Sequence, residues 1–284
     1  MVQADAAALD RALRRRPAAR RCSPLSLGPP ASGPGVLASA APALPAEVDN
    51  STRAPAPAAC PESAMAASLP RLYAHPFSSY CQKALVALYE NGTPFDYRNL
   101  EGPAANAELA ALWPIKRFPV LVDGGRTVLE ATCVIEYLDL HYPGAAPLIP
   151  ADRDAALDVR MLDRFFDNYV STPQQKLVSD ALRPADARDP YGVAEARALL
   201  ERAYAWLDAY LDGRTWAAGE AFSLADCAAA PFLFYADWSH PIDAGHTRVR
   251  AYRERLLARP SFRRAVDEAR PYRHYFPLGA PARD

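Results

Sequence analysis

Residues 72–88, LYAHPFSSYCQKALVAL, constrain the fold of this 284-residue chain more than any other stretch. An apolar-alternating strand runs into a loop carrying Ser78 and Ser79. An amphipathic helix follows at once, with Cys81, Ala84, Leu85 and Leu88 at the i, i+3, i+4, i+7 spacing of one apolar face. Strand, short loop and helix in immediate succession bring two hydroxyls to a helix start whose first N–H groups have no intrahelical partner. The unpaired donors and the positive end of the helix dipole suit a bound anion. A serine at a helix start is also an ordinary N-cap, so the pattern alone leaves both readings open.

Composition narrows the function classes. Half of the residues are hydrophobic, enough for real cores, and the net charge of −1 gives no basic surface for nucleic acid. No apolar run is long enough to span a bilayer. The five cysteines, Cys22, Cys60, Cys81, Cys133 and Cys227, are scattered and odd in number. That usage fits a reducing, cytoplasmic compartment and not a disulfide framework. No zinc-ligand spacing occurs and the five histidines do not cluster, so no metal is expected.

Residues 1–68 differ from the rest: rich in Ala, Pro and Arg, poor in aromatic residues, and holding ten of the 28 prolines. Such a segment cannot bury enough apolar surface to offset its ordering entropy and reads as disordered. Three origins compete: an upstream extension of the frame with Met65 as the true start, a natural flexible tail, or a targeting peptide suggested by RALRRRPAARR. From residue 71 the pattern becomes globular. RLYAH, PFDYRN (94–99), FPVLV (118–122) and RTVL (126–129) read as strands, with DGG (123–125) as a hairpin turn. Helices are expected over 79–91, stopped by Asn91 and Gly92, weakly over 106–112, and over 130–142. Residues 143–150 read as a linker. Beyond 151 only helices fit, over 151–171, 191–212, 223–239, 247–258 and 260–270. The clearest start is FSLADC, where Ser223 and Asp226 form a capping box and Phe222 and Cys227 stand at hydrophobic-staple positions.

Four segments in this order resemble the cytosolic glutathione S-transferase family, in its bacterial, serine-type, theta/zeta-like form: SSYCQK after the first strand, WPIKRFPVL, LEATCVIEYLD and FSLADCAAAP. The resemblance covers about residues 70–275. It implies an α/β thioredoxin-like N-terminal domain (69–147) followed by an all-α C-terminal domain (151–275) and a tail (276–284). It also implies glutathione as co-substrate, a small-molecule electrophile, and a homodimer.

The resemblance assigns Ser78 as the hydroxyl that donates to the glutathione thiolate, with Ser79 as runner-up. Pro119 falls at the family's cis-proline, so that Phe118 and Val120 would present backbone to the tripeptide. Glu130 falls where the family binds the γ-glutamyl amino group. The family's next residue is a serine and here it is Ala131, with Thr132 as a partial substitute through its hydroxyl. Arg117 stands at a lysine position and would pair with a glutathione carboxylate as a planar fork. Trp113 and Lys116 replace the usual asparagine and glycine, making this loop unusual. Phe166, Tyr169, Tyr235 and Trp238 are candidates for an apolar second-substrate pocket, together with the aromatic segment PYRHYF (271–276). Cys81 matches the second cysteine of a redox Cys-x-x-Cys, but Ser78 holds the first position, so a buried small residue is the plainer reading. Three functions follow: a glutathione transferase, a non-catalytic module that keeps the fold, and a thiol-disulfide oxidoreductase acting through Cys81. Glutathione-dependent isomerisation, dehalogenation and ether cleavage use the same thiolate.

Overall fold

The computed structural model describes residues 69–284, and the reading of 1–68 as a disordered extension lies outside them. The first part runs β1 (Arg71–Ala74), α1 (Ser79–Glu90), β2 (Asp96–Asn99), α2 (Pro103–Leu112), β3 (Val120–Asp123), β4 (Arg126–Leu129) and α3 (Ala131–His141). The sheet order is β2-β1-β3-β4, with β2 parallel to β1 and the other neighbours antiparallel. The β3–β4 hairpin turns on Gly124 and Gly125, both at positive φ, as a tight hairpin of this hand requires.

Strand alternation assigns the two faces. Leu72, Leu121 and Val128 pack with Cys81, Ala84, Leu85 and Leu88 of α1 and Val134 and Leu138 of α3. On the other face Tyr73 and Val120 pack with Leu100 and with Ala105 and Leu109 of α2. The register sets Tyr73, Val120 and Leu129 in one row across β1, β3 and β4. The chain therefore leaves β1, enters β3 and leaves β4 at one end of the sheet.

The second part holds α4 (Arg153–Phe165), α5 (Thr172–Ala181), α6 (Pro190–Tyr210), α7 (Leu224–Ser239), α8 (Thr247–Ala258) and α9 (Pro260–Ala269). Short 3-10 segments occur at Ala185–Ala187 and Arg270–Tyr275, and among the described residues no named strand follows β4. The thioredoxin-like layer followed by helices agrees with the expected fold class. Every residue of α7 is buried, which makes it the axis of the helical core. Leu224 N–H donates to Leu148 O at 2.9 Å, tying the linker to the start of α7.

One helix extends beyond its expectation. The chain does not end helical structure at 171: a π-helical turn, Phe166–Ser171, carries α4 on into α5. Pro173 lies in the first turn of α5, where a missing N–H costs little. The aromatic segment after α9 is also helical, as a 3-10 stretch.

Candidate functional site

The row Tyr73–Val120–Leu129 brings three connections to one edge: the loop ending at Ser78, the Phe118–Pro119 entry to β3, and Glu130 at the start of α3. Ser78 is the N-cap of α1 in extended conformation, and its Oγ accepts from Cys81 N at 3.4 Å. A hydroxyl that accepts from the helix still carries a proton to donate. Ser78 is partly exposed, whereas Ser79 is only 5% exposed, within the first turn. The first turn of α1 carries no acidic residue, so nothing there repels an anion.

The Phe118–Pro119 bond is cis, as the resemblance implies. Val120 lies opposite both Tyr73 and Leu129, so its backbone belongs to the sheet. Phe118 stands just outside those ladders, at the entry to β3. Lys116 takes φ 57°, a conformation in which glycine is cheapest, which explains why a glycine suits this position. A turn closed by Lys116 N–H donating to Trp113 O at 2.8 Å precedes the exposed Arg117.

Glu130 is exposed, takes φ 66° and ψ 125°, and makes no capping hydrogen bond. A non-glycine residue in that region costs about 1–3 kcal/mol, the kind of strain that clusters at ligand clamps. Its carboxylate stands free beside the α3 N-terminus, whose Ala131 and Thr132 N–H groups have no intrahelical acceptor.

The Thr132 side chain is engaged inside the protein. Its Oγ1 donates to Asp163 Oδ2 at 2.8 Å and accepts from Lys83 Nζ at 2.9 Å and Arg164 Nη2 at 2.5 Å. Lys83, whose side chain is 0% exposed, stands 2.6 Å from Asp163 Oδ1 and 3.0 Å from Asp167 Oδ1. Arg164 closes the group on both aspartates. Burial raises the Asp167 carboxyl above its usual range, against the opposing pull of Lys83. This seam ties α1 and α3 to α4. Sequence reading passed over it, although Asp163 and Asp167 fall four residues apart on the apolar stripe of Val159, Leu162, Phe166 and Val170, a signal that both are buried and paired.

The second-substrate candidates do not form one pocket. Phe166 is 0% exposed in the helical core, and Tyr169, at 49%, stands outside with Phe165, whose ring lies tilted against Trp206. Tyr235 and Trp238 come together with Phe276 and Arg273 of the 271–276 segment, and Phe77, Phe234, Val266 and Ala269 close around the same spot. Tyr235 Oη accepts from Gln82 Nε2 at 3.1 Å, and the same amide donates to Pro76 O, which locks this cluster to the Ser78 loop. The segment 270–275 covers that loop from the other side: Tyr272 lies edge-on to His75 at 4.8 Å. Cys81 is fully buried, its Sγ accepts from His75 N, and burial pushes its thiol up to about 12.

Comparison with known proteins agrees with this arrangement. The profile of the glutathione S-transferase N-terminal domain matches residues 72–146, and that of the C-terminal domain matches 190–255. A stringent starvation protein A homolog of Coxiella burnetii is 26% identical over 209 residues, 71% of this chain and 93% of that protein. Glutathione S-transferase U25 of Arabidopsis thaliana is 25% identical, covering 68% of this chain and 86% of its own length. Among solved structures, a glutathione S-transferase of Methylobacillus flagellatus with glutathione bound superposes with a TM-score of 0.62 at 26% identity, over 69% of this chain and 98% of that one. One from Methylobacterium radiotolerans in complex with glutathione sulfonate gives 0.60 at 28%, over 69% and 94%.

Proposed function

This chain belongs to the glutathione S-transferase family, and we propose that it is a transferase that ionises glutathione at Ser78 and directs the thiolate at an apolar electrophile. The observation that carries the reading is the N-cap position of Ser78, partly exposed at a helix start without an acid. Donation from a hydroxyl to a charged acceptor is worth about 1.5–3 kcal/mol, or roughly one to two pKa units of the thiol. The helix N-terminus adds a smaller favourable term. The tripeptide lies along the edge formed by Phe118, Pro119 and Glu130. Glu130 takes the amino group, the Ala131 and Thr132 N–H groups take the α-carboxylate in place of a serine hydroxyl, and Arg117 takes the remaining carboxylate. In the reaction the sulfur forms a bond to an electrophilic carbon, the leaving group departs with its electron pair, and the thiol proton goes to solvent.

A homodimer fits this reading. Leu157, Met161 and Tyr169 stand exposed along α4 and the π-helical turn, an apolar band of the kind that a second subunit covers. A molar mass from light scattering twice that of the chain supports it, and a monomer at micromolar concentration rejects it.

The deciding experiment is an ultraviolet pH titration of the thiolate absorbance of bound glutathione, on the wild type and on Ser78→Ala. A thiol pKa lowered by about one unit or more, and restored by the substitution, is expected. A lowered value that survives the substitution moves the role to Ser79 or the helix N-terminus. The second reading, a non-catalytic module, is favoured by Ala131 and by the engagement of Thr132 in the buried seam. It predicts no saturable binding at millimolar glutathione.

A further inference from the structure

The cap bond from Cys81 N to Ser78 Oγ is 3.4 Å long, past the roughly 2.7–3.2 Å of an ordinary N–H···O bond. The hydroxyl therefore takes little of its position from the helix it caps. The chain upstream is held more firmly. It turns at Pro76 and Phe77, and Ser78 N–H donates to His75 O at 3.0 Å. The proline sets its own φ at the second position of that turn. Gln82 Nε2 of α1 donates to Pro76 O at 2.9 Å. Phe77 N–H donates to the ring Nδ1 of His75 at 3.1 Å. A side chain that accepts from the N–H two residues on is the arrangement of an Asx turn, made here by an imidazole.

Every polar atom of His75 is engaged. Because Nδ1 accepts from an N–H, the ring proton sits on Nε2. There Glu101, in the connection between β2 and α2, accepts at 2.6 Å. The main-chain N–H of His75 donates to Cys81 Sγ at 3.4 Å. Tyr272 lies edge-on to the ring at 4.8 Å and Tyr275 stands 6.1 Å away. Tyr275 Oη donates to the second oxygen of Glu101 at 3.3 Å. The carboxylate thus places the ring proton, and the bare nitrogen faces the main chain one residue before Ser78.

We propose that His75 is a positioning residue for Ser78: its Nδ1, by accepting Phe77 N–H, fixes the turn that points the serine hydroxyl at the glutathione sulfur. The proposal rests on the transferase reading and deepens it. In this role His75 acts through Phe77 and transfers no proton. Its effect lies in the placement of one O–H group, where an error of about 1 Å costs up to about a hundredfold in rate. Asparagine and glutamine separate the two ends of the ring. An asparagine at 75 sets its amide oxygen near the place of Nδ1 and makes the Asx turn with Phe77 N–H. A glutamine reaches toward the place of Nε2 and Glu101, and leaves Phe77 N–H without its acceptor.

The test measures the thiol pKa of bound glutathione by ultraviolet absorbance, with kcat and KM for conjugation of 1-chloro-2,4-dinitrobenzene, on the full chain, on His75→Asn and on His75→Gln. His75→Gln raises the bound thiol's pKa toward that of free glutathione. It lowers kcat at pH 6.5 about tenfold and keeps KM for glutathione within about twofold, because the groups that hold the tripeptide are untouched. His75→Asn recovers most of both losses. Equal values in the two variants, whether near wild type or impaired, overturn the proposal, and so does a glutamine variant that outperforms the asparagine one. If the wild type binds no glutathione, or binds it without lowering the thiol pKa, the transferase reading fails, and amide hydrogen exchange at Phe77 and Ser78 then decides the turn by itself. Protection lowered about tenfold in His75→Gln and kept in His75→Asn sustains the hold of His75 on Ser78. The same protection in both variants ends it.

Discussion

Helices α1 and α7 each begin on a serine whose side chain bonds within the first turn, and they use it for opposite ends. At α7 the cap is sealed: Ser223 and Asp226 are buried, and the aspartate accepts from Ser223 N at 2.9 Å, Ser223 Oγ at 3.1 Å, Ala217 N at 2.9 Å and Tyr252 Oη at 2.5 Å. At α1 the residue in the position of Asp226 is Cys81, the cap bond is long, and Ser78 reaches solvent. An acid at the third position of a helix supplies from within the negative charge that the helix start attracts. Leaving it out leaves that attraction for a ligand. What separates a structural cap from a candidate catalytic one is thus the missing carboxylate and the exposure, and not the serine.

The largest expected effect breaks the sealed cap. Asp226→Ala leaves Tyr252 Oη and two backbone N–H groups without their acceptor in a buried place. A loss of about 3 kcal/mol is expected, read as a lowered urea midpoint with an unchanged slope. Glutathione affinity of the protein that stays folded should not change. The matching substitution at the open cap behaves in reverse. Ser78→Ala should cost about 1 kcal/mol of stability as a lost N-cap, while conjugation at pH 6.5 falls about ten- to hundredfold as the thiol reverts toward its ordinary pKa. A Ser78→Ala protein that loses as much stability as Asp226→Ala, with its rate intact, would abolish the distinction.

Glu130 sharpens the same comparison two residues from Thr132. Thr132 is fully engaged with Asp163, Lys83 and Arg164, and Glu130 has no capping bond and lies in a strained conformation. Glu130→Gln removes the charge and keeps the shape. It should raise KM for glutathione about tenfold, about 1.4 kcal/mol, with kcat and the unfolding midpoint nearly unchanged. A shift of the midpoint without a change in KM would make Glu130 structural.

The contrast also explains what could be seen in the chain before its structure. The strand–loop–helix at 72–88, the hairpin at Gly124 and Gly125 and the capping box at Ser223 each depend on neighbours in sequence, and each formed where the pattern located it. The Lys83 seam and the cluster of Tyr235, Trp238 and Arg273 depend on residues brought together over long separations, and local spacing reports at most one side of each, as Asp163 and Asp167 do for the seam. Phe166 and Tyr169 show the same limit, since aromatic character does not tell a wholly buried ring from an exposed one three residues on. The helix continues beyond residue 171 through Pro173, because proline breaks a helix from within and is tolerated in its first turn.

The smallest expected effect concerns Cys81, the residue that stands in the acid's place at α1. Burial holds its thiol near 12, so at pH 8 it is neutral and shielded. An unfolded cysteine ionises near 8.5. The raised folded value therefore means stability falls as pH climbs above that figure, and the thiolate never forms in the native range. Cys133 is exposed in the first turn of α3, and Cys227 is buried with its thiol pushed well above the usual range. Brief treatment of the native protein with iodoacetamide at pH 8, followed by peptide mapping, should modify the peptide of Cys133 and spare those of Cys81 and Cys227. Cys81→Ser should keep kcat/KM within about twofold, since a neutral group at that position neither donates to nor repels an anion at Ser78. Rapid labelling of Cys81, or loss of activity in Cys81→Ser, would put the reactive sulfur on the protein and not on glutathione, and the open cap would then serve a protein thiolate of its own.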